Sequence, residues 1–283
     1  PGQWTLRPGI KQTLRDLSLR GDIIKTMHRA MSRGGTEPDV SGFALHEGRP
    51  ADPILGRFVE RGLQDELKGT AYVVIEGLDG RIHHVRFSNL DVTGDAGPGA
   101  IVETRAYEDA KGRKQLSLAV RSDLSIEQQV IARGATWLDR RLLDGHAIAV
   151  NAGFGAVVTS AMERRADHLV SEGLARRRGQ GIVFNRDLLA TLREQELDEA
   201  VAKIREQTGL AHQPLTEGDH VVGTYRQRIT LASGRFAMID DGLGFQLVPW
   251  RPALERHLGE EVAGRMREGG IEWSFERKRD LGL

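Results

Sequence analysis

Few residues in this chain could do chemistry, and they are scattered. His83-His84 is the one place where two imidazoles are adjacent. Two histidines can ligate a metal ion or share a proton when both reach one site. Neighbours on a strand point to opposite faces, and the order here is Ile82-His83-His84-Val85, so the pair cannot share one metal. The spacing predicts a structural or surface role. Asp240-Asp241 could hold Mg²⁺ through paired carboxylates. Followed by Gly242, the same pair is also what a tight hairpin takes. Tyr72, Tyr107 and Tyr225 lie inside strand patterns, away from any histidine cluster that could support phosphotyrosine chemistry. There is no Walker loop and no Gly-x-Ser-x-Gly elbow. The glycines of Gly153-Phe154-Gly155 lack the strand–loop–helix setting of a phosphate cradle. Cysteine is absent, which excludes disulfides, a thiolate nucleophile and Cys-bound zinc. These residues imply no cofactor and no resident metal.

Arginine is the exception. The 40 basic residues are almost all arginine, whose planar fork matches phosphate bidentately. GC-rich coding would raise arginine as well. The densest stretch, 162–193, carries Arg164, Arg165, Arg176, Arg177, Arg178, Arg186 and Arg193 against Glu163, Asp167, Glu172 and Asp187. Arg176-Arg177-Arg178 falls on one arm of an expected hairpin. Strand alternation sends Arg177 to the face opposite Arg176 and Arg178. Near the start, Lys25, Arg29 and Arg33 oppose an apolar face of Ile23, Ile24, Met27, Ala30 and Met31 at helical spacing. The candidate DNA contacts are therefore Arg164, Arg165, Arg176, Arg177, Arg178, Arg186, Lys25 and Arg29. The competing reading is a solvated charged hairpin, or a winged helix used for protein contact.

The elements that must position these residues follow from pattern and punctuation. Asp22 can cap a helix from Ile23. Gly34-Gly35, Pro38, Gly42, Gly48, Pro50 and Pro53 read as a linker or surface loop, and residues 53–67 as a short helix. Strands are expected at 72–75 and 82–87 around an Asp79-Gly80 turn, and at 101–107 and 116–120 around Lys111-Gly112. Ser125 caps a helix from Ile126, and 135–143 continues helical. Residues 145–155 form a loop. Residues 156–172 form an amphipathic helix closed by Gly173. The hairpin 174–184 and a helix from Asp187 to Gly209 follow. Strands at 221–225, 229–231, 236–239 and 245–248, a short helix at 252–258 and a strand at 271–275 precede the basic tail Arg277-Lys278-Arg279. The expected fold is α+β, with two small antiparallel β-barrel-like units and a helical, winged-helix-like segment between them. The expected division is 1–67 (helical segment and linker), 68–122 (small barrel), 123–212 (winged-helix-like) and 213–283 (β unit with tail).

Composition narrows the class. Among 283 residues, 40 basic and 40 acidic side chains give zero formal charge, excluding a histone-like polycation and an acidic tail. With 39% hydrophobic and 28% charged residues, disorder of the whole chain is excluded. No apolar run approaches the roughly 20 residues of a membrane helix, and no secretory signal is visible. The expectation is a cytoplasmic protein with no membrane partner. The chain starts at Pro1 rather than Met, which reads as a piece of a longer protein.

Several stretches are more specific than composition. They are Arg20-Gly21-Asp22-Ile23-Ile24-Lys25-Thr26-Met27-His28, Gly134-Ala135-Thr136-Trp137-Leu138-Asp139-Arg140, the run 233–252 (SGRFAMIDDGLGFQLVPWRP) and the closing 277–283 (RKRDLGL). Together they resemble the C-terminal region of relaxase/mobilisation nucleases from bacterial conjugative plasmids and integrative elements. That family's tyrosine nucleophile and metal-binding histidines belong to an N-terminal domain that would precede Pro1, so no residue here inherits them. The resemblance implies a non-catalytic region that supports mobilisation by binding single- or double-stranded DNA near the origin of transfer. The alternative is a protein-interaction module for relaxosome accessory proteins or the type IV secretion coupling protein. Zero net charge and the acidic run Glu194, Glu196, Asp198 and Glu199 suit that alternative. A metal-dependent hydrolase built on Asp240 and Asp241 is a second alternative.

Overall fold

The computed structural model describes residues 10–33, 39–145, 148, 152–179, 181–268 and 270–275, with the backbone alone at Lys11, Gln12 and Asp16. Arg7, Gly34-Gly35, Pro38, residues 146–147 and 149–151 of the 145–155 loop and the Arg277-Lys278-Arg279 tail lie outside these residues. The chain is α+β and forms two compact units, Pro1–Val130 with Asp144–His168, and Ile131–Leu143 with Leu169–Leu283. No helix among the described residues is long and apolar enough to cross a membrane.

The first unit opens with α1 (Ile10–Arg33). Six strands follow: β1 (Phe43–His46), β2 (Leu55–Asp65), β3 (Thr70–Gly77), β4 (Ile82–Phe87), β5 (Ile101–Glu108) and β6 (Lys114–Ser122). They form one sheet in the order β1-β4-β3-β2-β5-β6. β1 runs parallel to β4, and the other pairings are antiparallel. The strand β3 is buried on both faces, and alternation assigns each residue its side. Val73 and Ile75 pack with Phe58, Val85, Phe87 and Val102. Val74 faces the other way, against Met27, Ala30 and Met31 of α1. The apolar stripe read in 23–31 is thus what covers the sheet.

Two expectations for this unit are corrected. Residues 53–67 are not a helix, because β2 occupies them between β3 and β5. Register shifts after Phe58 and Leu63 break the period of two, and bulges of this kind hide a strand from pattern reading. Gly56 must be glycine there, since a Cβ would stand 2.0 Å from the Glu76 carbonyl oxygen. The barrel-like description is also corrected. Among the described residues the sheet is open, with β1 and β6 as its edges, and closure would require those edges to pair.

Next come α2 (Ile126–Ile131), α3 (Trp137–Asp144) and α4 (Gly153–Ser171). At α2 the Ser125 N–H donates to Gln128 Oε1 at 2.9 Å, and the Gln128 N–H to Ser125 Oγ at 3.3 Å. This is the reciprocal box that the Ser-x-x-Gln spacing encodes. Thr136 and Asp139 repeat the device at α3, at 2.7 and 3.2 Å.

The second unit holds β7 (Ala175–Arg178), β8 (Gly181–Phe184), α5 (Leu188–Thr208), β9 (Ala211–His212), β10 (His220–Leu231), β11 (Gly234–Asp240), β12 (Gly244–Pro249), β13 (Glu261–Arg267) and β14 (Gly270–Ser274). Its six-stranded sheet has the order β14-β13-β10-β11-β12-β9 and is likewise open. β11 repeats the logic of β3. Ala237 and Ile239 join Val221, Tyr225, Val248 and Val262 on one face. Met238 faces Ile204 of α5 and Phe245 on the other. The strands expected at 221–225 and 229–231 are one strand, β10, with a bulge between Tyr225 and Gln227. β13 was not visible in the sequence, because Glu-Val-Ala-Gly-Arg-Met-Arg carries little strand signal. It forms by pairing with β10 and β14.

Candidate nucleic-acid interface

The ribbon of β7 and β8 begins where α4 stops. Gly173 takes φ +73°, its N–H donates to Val170 O at 3.1 Å, and the Leu174 N–H donates to Leu169 O at 2.9 Å. Glycine reaches that left-handed conformation without the steric penalty other residues meet. The two strands pair antiparallel, with Ala175 opposite Phe184, Arg176 opposite Val183, Arg177 opposite Ile182 and Arg178 opposite Gly181. Directly opposed residues share a face. Ala175, Ile182 and Phe184 pack with Leu169, Leu188 and Leu192, so that face is inward. Arg176 and Arg178 are exposed on the outward face, and among the described residues neither has a hydrogen bond or ion pair. Arg177 shares the inward-facing register with Ile182 and keeps an exposed side chain. Arg186, just after β8, is exposed too.

The other proposed contacts divide differently. Arg165 is 0% exposed, and its Nη1 donates to Val130 O at 3.3 Å. It cannot reach a phosphate without unfolding its surroundings. Arg164 is exposed and donates through Nη2 to both Glu127 carboxylate oxygens, at 3.0 and 3.2 Å. On α1, Lys25 has Nζ 3.6 Å from Asp22, and Arg29 is exposed. Of the eight residues, the fold brings Arg176 and Arg178 together on one solvent face.

The acidic run on α5 is partly spent within its own unit. Glu196 accepts the Ala232 and Ser233 N–H groups of the β10–β11 turn at 2.6 and 2.9 Å. Glu199 pairs with Arg133 at 2.5 Å. Asp240 and Asp241 form a turn. Asp240 takes Arg226 Nε at 2.9 Å and the Gly242 N–H at 2.8 Å. Asp241 Oδ1 accepts the Leu243 and Gly244 N–H groups at 2.9 and 2.7 Å, which hold its carboxyl below the usual range.

A histidine cluster in the first unit was not legible in the sequence. His83 Nε2 lies 2.9 Å from Asp79 Oδ1, and His83 Nδ1 lies 3.0 Å from His46 Nε2. The His46 and His83 rings stack with centroids 5.3 Å apart. His84 points to the other face, as alternation requires, and stacks on Tyr72 at 5.0 Å. Burial, and then the neighbouring His83, lower the affinity of His46 for a proton. Burial brings His84 from its ordinary 6.5 down to about 4. Among the described residues no three His, Asp or Glu side chains gather as metal ligands. His46 reaches His83 through the parallel β1–β4 pairing, a long-range contact that no local pattern announces.

The family described as protein of unknown function DUF3363 matches residues 1–111 and 103–282. The chain belongs to the DUF3363 family. The match takes in both units of this DUF3363 chain, including α1, the ribbon and the 233–252 run. No curated protein and no solved structure matches it.

Proposed function

We propose that this DUF3363 chain is a non-catalytic, cytoplasmic DNA-binding region of a relaxase-type mobilisation protein. In this reading it grips phosphates beside the origin of transfer. The observation that carries the proposal is the ribbon, where Arg176 and Arg178 stand on one outward face with no carboxylate of the described residues against either. Exposed guanidinium forks on a two-stranded ribbon are suited to backbone phosphates and carry no base specificity. The helix–ribbon order of α4, β7 and β8 supports a winged-helix use of this segment. The likeness of the 233–252 run to relaxase C-terminal regions supports the biological setting.

The test is a salt titration of binding to single- and double-stranded DNA by fluorescence anisotropy. Each phosphate neutralised on duplex DNA contributes about 0.9 to the slope of log K against log salt. Arg176→Ala with Arg178→Ala should flatten the slope by about 1.8, if each fork meets one phosphate. An unchanged slope removes the ribbon from the interface. Absence of binding even at low salt sinks the DNA reading.

The protein-interaction alternative also has an observation in its favour. Leu14, Leu17 and Leu19 on α1 are 60%, 59% and 55% exposed, which is unusual for leucines so close in sequence. Retention of a relaxosome or coupling partner by the wild-type chain, and its loss with Leu14→Ser and Leu17→Ser, would favour that reading.

A further inference from the structure

The first unit contains a cavity of about 520 Å³, within the range of small-ligand sites. It is framed by the second half of α1, by β1, by the β2–β3 turn and by β4. Its chemistry is divided. Ile23, Leu19 and Leu45 give it an apolar wall, while Arg20, Lys68 and Arg86 supply three cations. His84 also lines it.

That histidine is the telling residue. His84 is 3% exposed, and its Nε2 is buried without a hydrogen-bond partner among the described residues. A buried polar atom left unpaired costs about 1–3 kcal/mol, and such atoms are uncommon in folded proteins. The ring is held in place. It stacks on Tyr72, the Tyr72 hydroxyl donates to Glu60 Oε1 at 2.8 Å, and Arg33 donates to the same carboxylate at 3.0 Å. With its proton affinity lowered by burial, the imidazole is neutral near pH 7. Nε2 is closed to water as the ring stands, so a hydroxyl, an amine or an oxygen of a ligand meets it only when the cavity wall beside the ring gives way slightly.

The cations are poorly satisfied. Arg20 lies 3.8 Å from Glu47, and Lys68 lies 3.6 Å from Asp65. Both separations exceed hydrogen-bond length, and exposed pairs of this kind contribute little. Arg86 is exposed and has no ion pair among the described residues. Glu47 and Asp65 also line the cavity; three cations against these two carboxylates leave one positive charge, and arginine forks match phosphate oxygens.

We propose that this cavity binds a phosphomonoester carrying a planar apolar body, of the kind a nucleotide presents. Arg86, Arg20 and Lys68 hold the phosphate, the body packs against Ile23 and Leu45, and His84 Nε2 supplies the oriented polar contact. Inorganic phosphate would leave most of the volume and the whole apolar wall unused. The ligand is either a free nucleotide or the phosphorylated end of a DNA strand. None of the ribbon arginines takes part, so this site and the DNA-binding proposal stand or fall separately.

The experiment is calorimetric titration of the full chain with dAMP, phenyl phosphate, inorganic phosphate and adenosine. A short oligonucleotide with and without a 5′-phosphate completes the set. We expect saturable binding of dAMP, with adenosine and inorganic phosphate each weaker by about tenfold or more. Phenyl phosphate should bind comparably to dAMP. Arg86→Gln, at an exposed position, should weaken dAMP about tenfold without lowering thermal stability. His84→Phe keeps the stacking ring and should weaken dAMP as well. If that variant does not fold, Arg86→Gln decides. Preference for the 5′-phosphorylated strand over dAMP, lost in Arg86→Gln, supports the site and assigns it to DNA ends. The reverse preference supports it and assigns it to free nucleotides. No saturable binding by any probe overturns the proposal. So does equal affinity for inorganic phosphate and dAMP, or wild-type dAMP affinity in Arg86→Gln.

Discussion

Arg165 donates to Val130 O from a fully enclosed position, Arg164 holds Glu127 at the surface, and Arg176 and Arg178 face solvent on the ribbon. The residue type is the same, but burial and partners set three different tasks. Replacing Arg165 with Met leaves a carbonyl without its donor and repacks a closed site. Stability should fall by about 2–4 kcal/mol, read by denaturant unfolding. The salt slope of DNA binding should not change at a temperature where the variant is folded. His84 gives a second prediction at this scale. Below its ordinary 6.5, the unfolded chain takes up a proton that the folded chain refuses until about pH 4. The unfolded state then binds more protons, so stability falls as pH drops through that window, by roughly 3 kcal/mol in all. Burial moves His46 in the same direction. Unfolding curves at pH 7 and pH 5 should show the loss, and His84→Phe should shrink it.

At the scale of elements, both sheets centre on a strand buried on two faces, β3 under α1 and β11 against α5. The turn after β10 is held from outside the sheet, by the Glu196 carboxylate on the Ala232 and Ser233 N–H groups. The fit is close, because a Cβ at Gly134 would lie 2.1 Å from that carboxyl. Glu196→Gln turns one acceptor into a donor facing an N–H. It should destabilise the second unit by about 1–3 kcal/mol, seen as a lower midpoint for that unit's unfolding. Gly56→Ala should cost about 1–3 kcal/mol or more, since β2 and β3 must separate to admit a methyl group beside Glu76 O. A thermal midpoint equal to wild type would show that the strands yield easily there.

At the scale of the whole molecule, equal numbers of acidic and basic residues leave no global field to draw a polyanion in from a distance. Any DNA affinity must come from local arginine geometry. Guanidinium groups do not titrate near neutrality. Affinity for duplex DNA, followed by anisotropy, should therefore stay flat between about pH 6.5 and 8.5. A steep fall would point to histidine contacts instead of the ribbon.

The amino-acid sequence by itself determined the parts whose signals are local. The Ser125 and Thr136 boxes, the Gly173 and Gly209 stops, the Asp79-Gly80 and Asp241-Gly242 turns and the helix–ribbon order all arise from residues within a few positions of one another. So does the separation of Arg176 and Arg178 from Arg177, because strand alternation is a property of the backbone. Tertiary structure decided what depends on distant pairing. It made 55–65 a bulged strand where a helix was expected, assembled β13 between β10 and β14, left both sheets open and enclosed Arg165. It also brought His46 to His83 and left His84 Nε2 facing no partner among the described residues. Burial and long-range register are sums over residues far apart in the chain, so no window of sequence contains them.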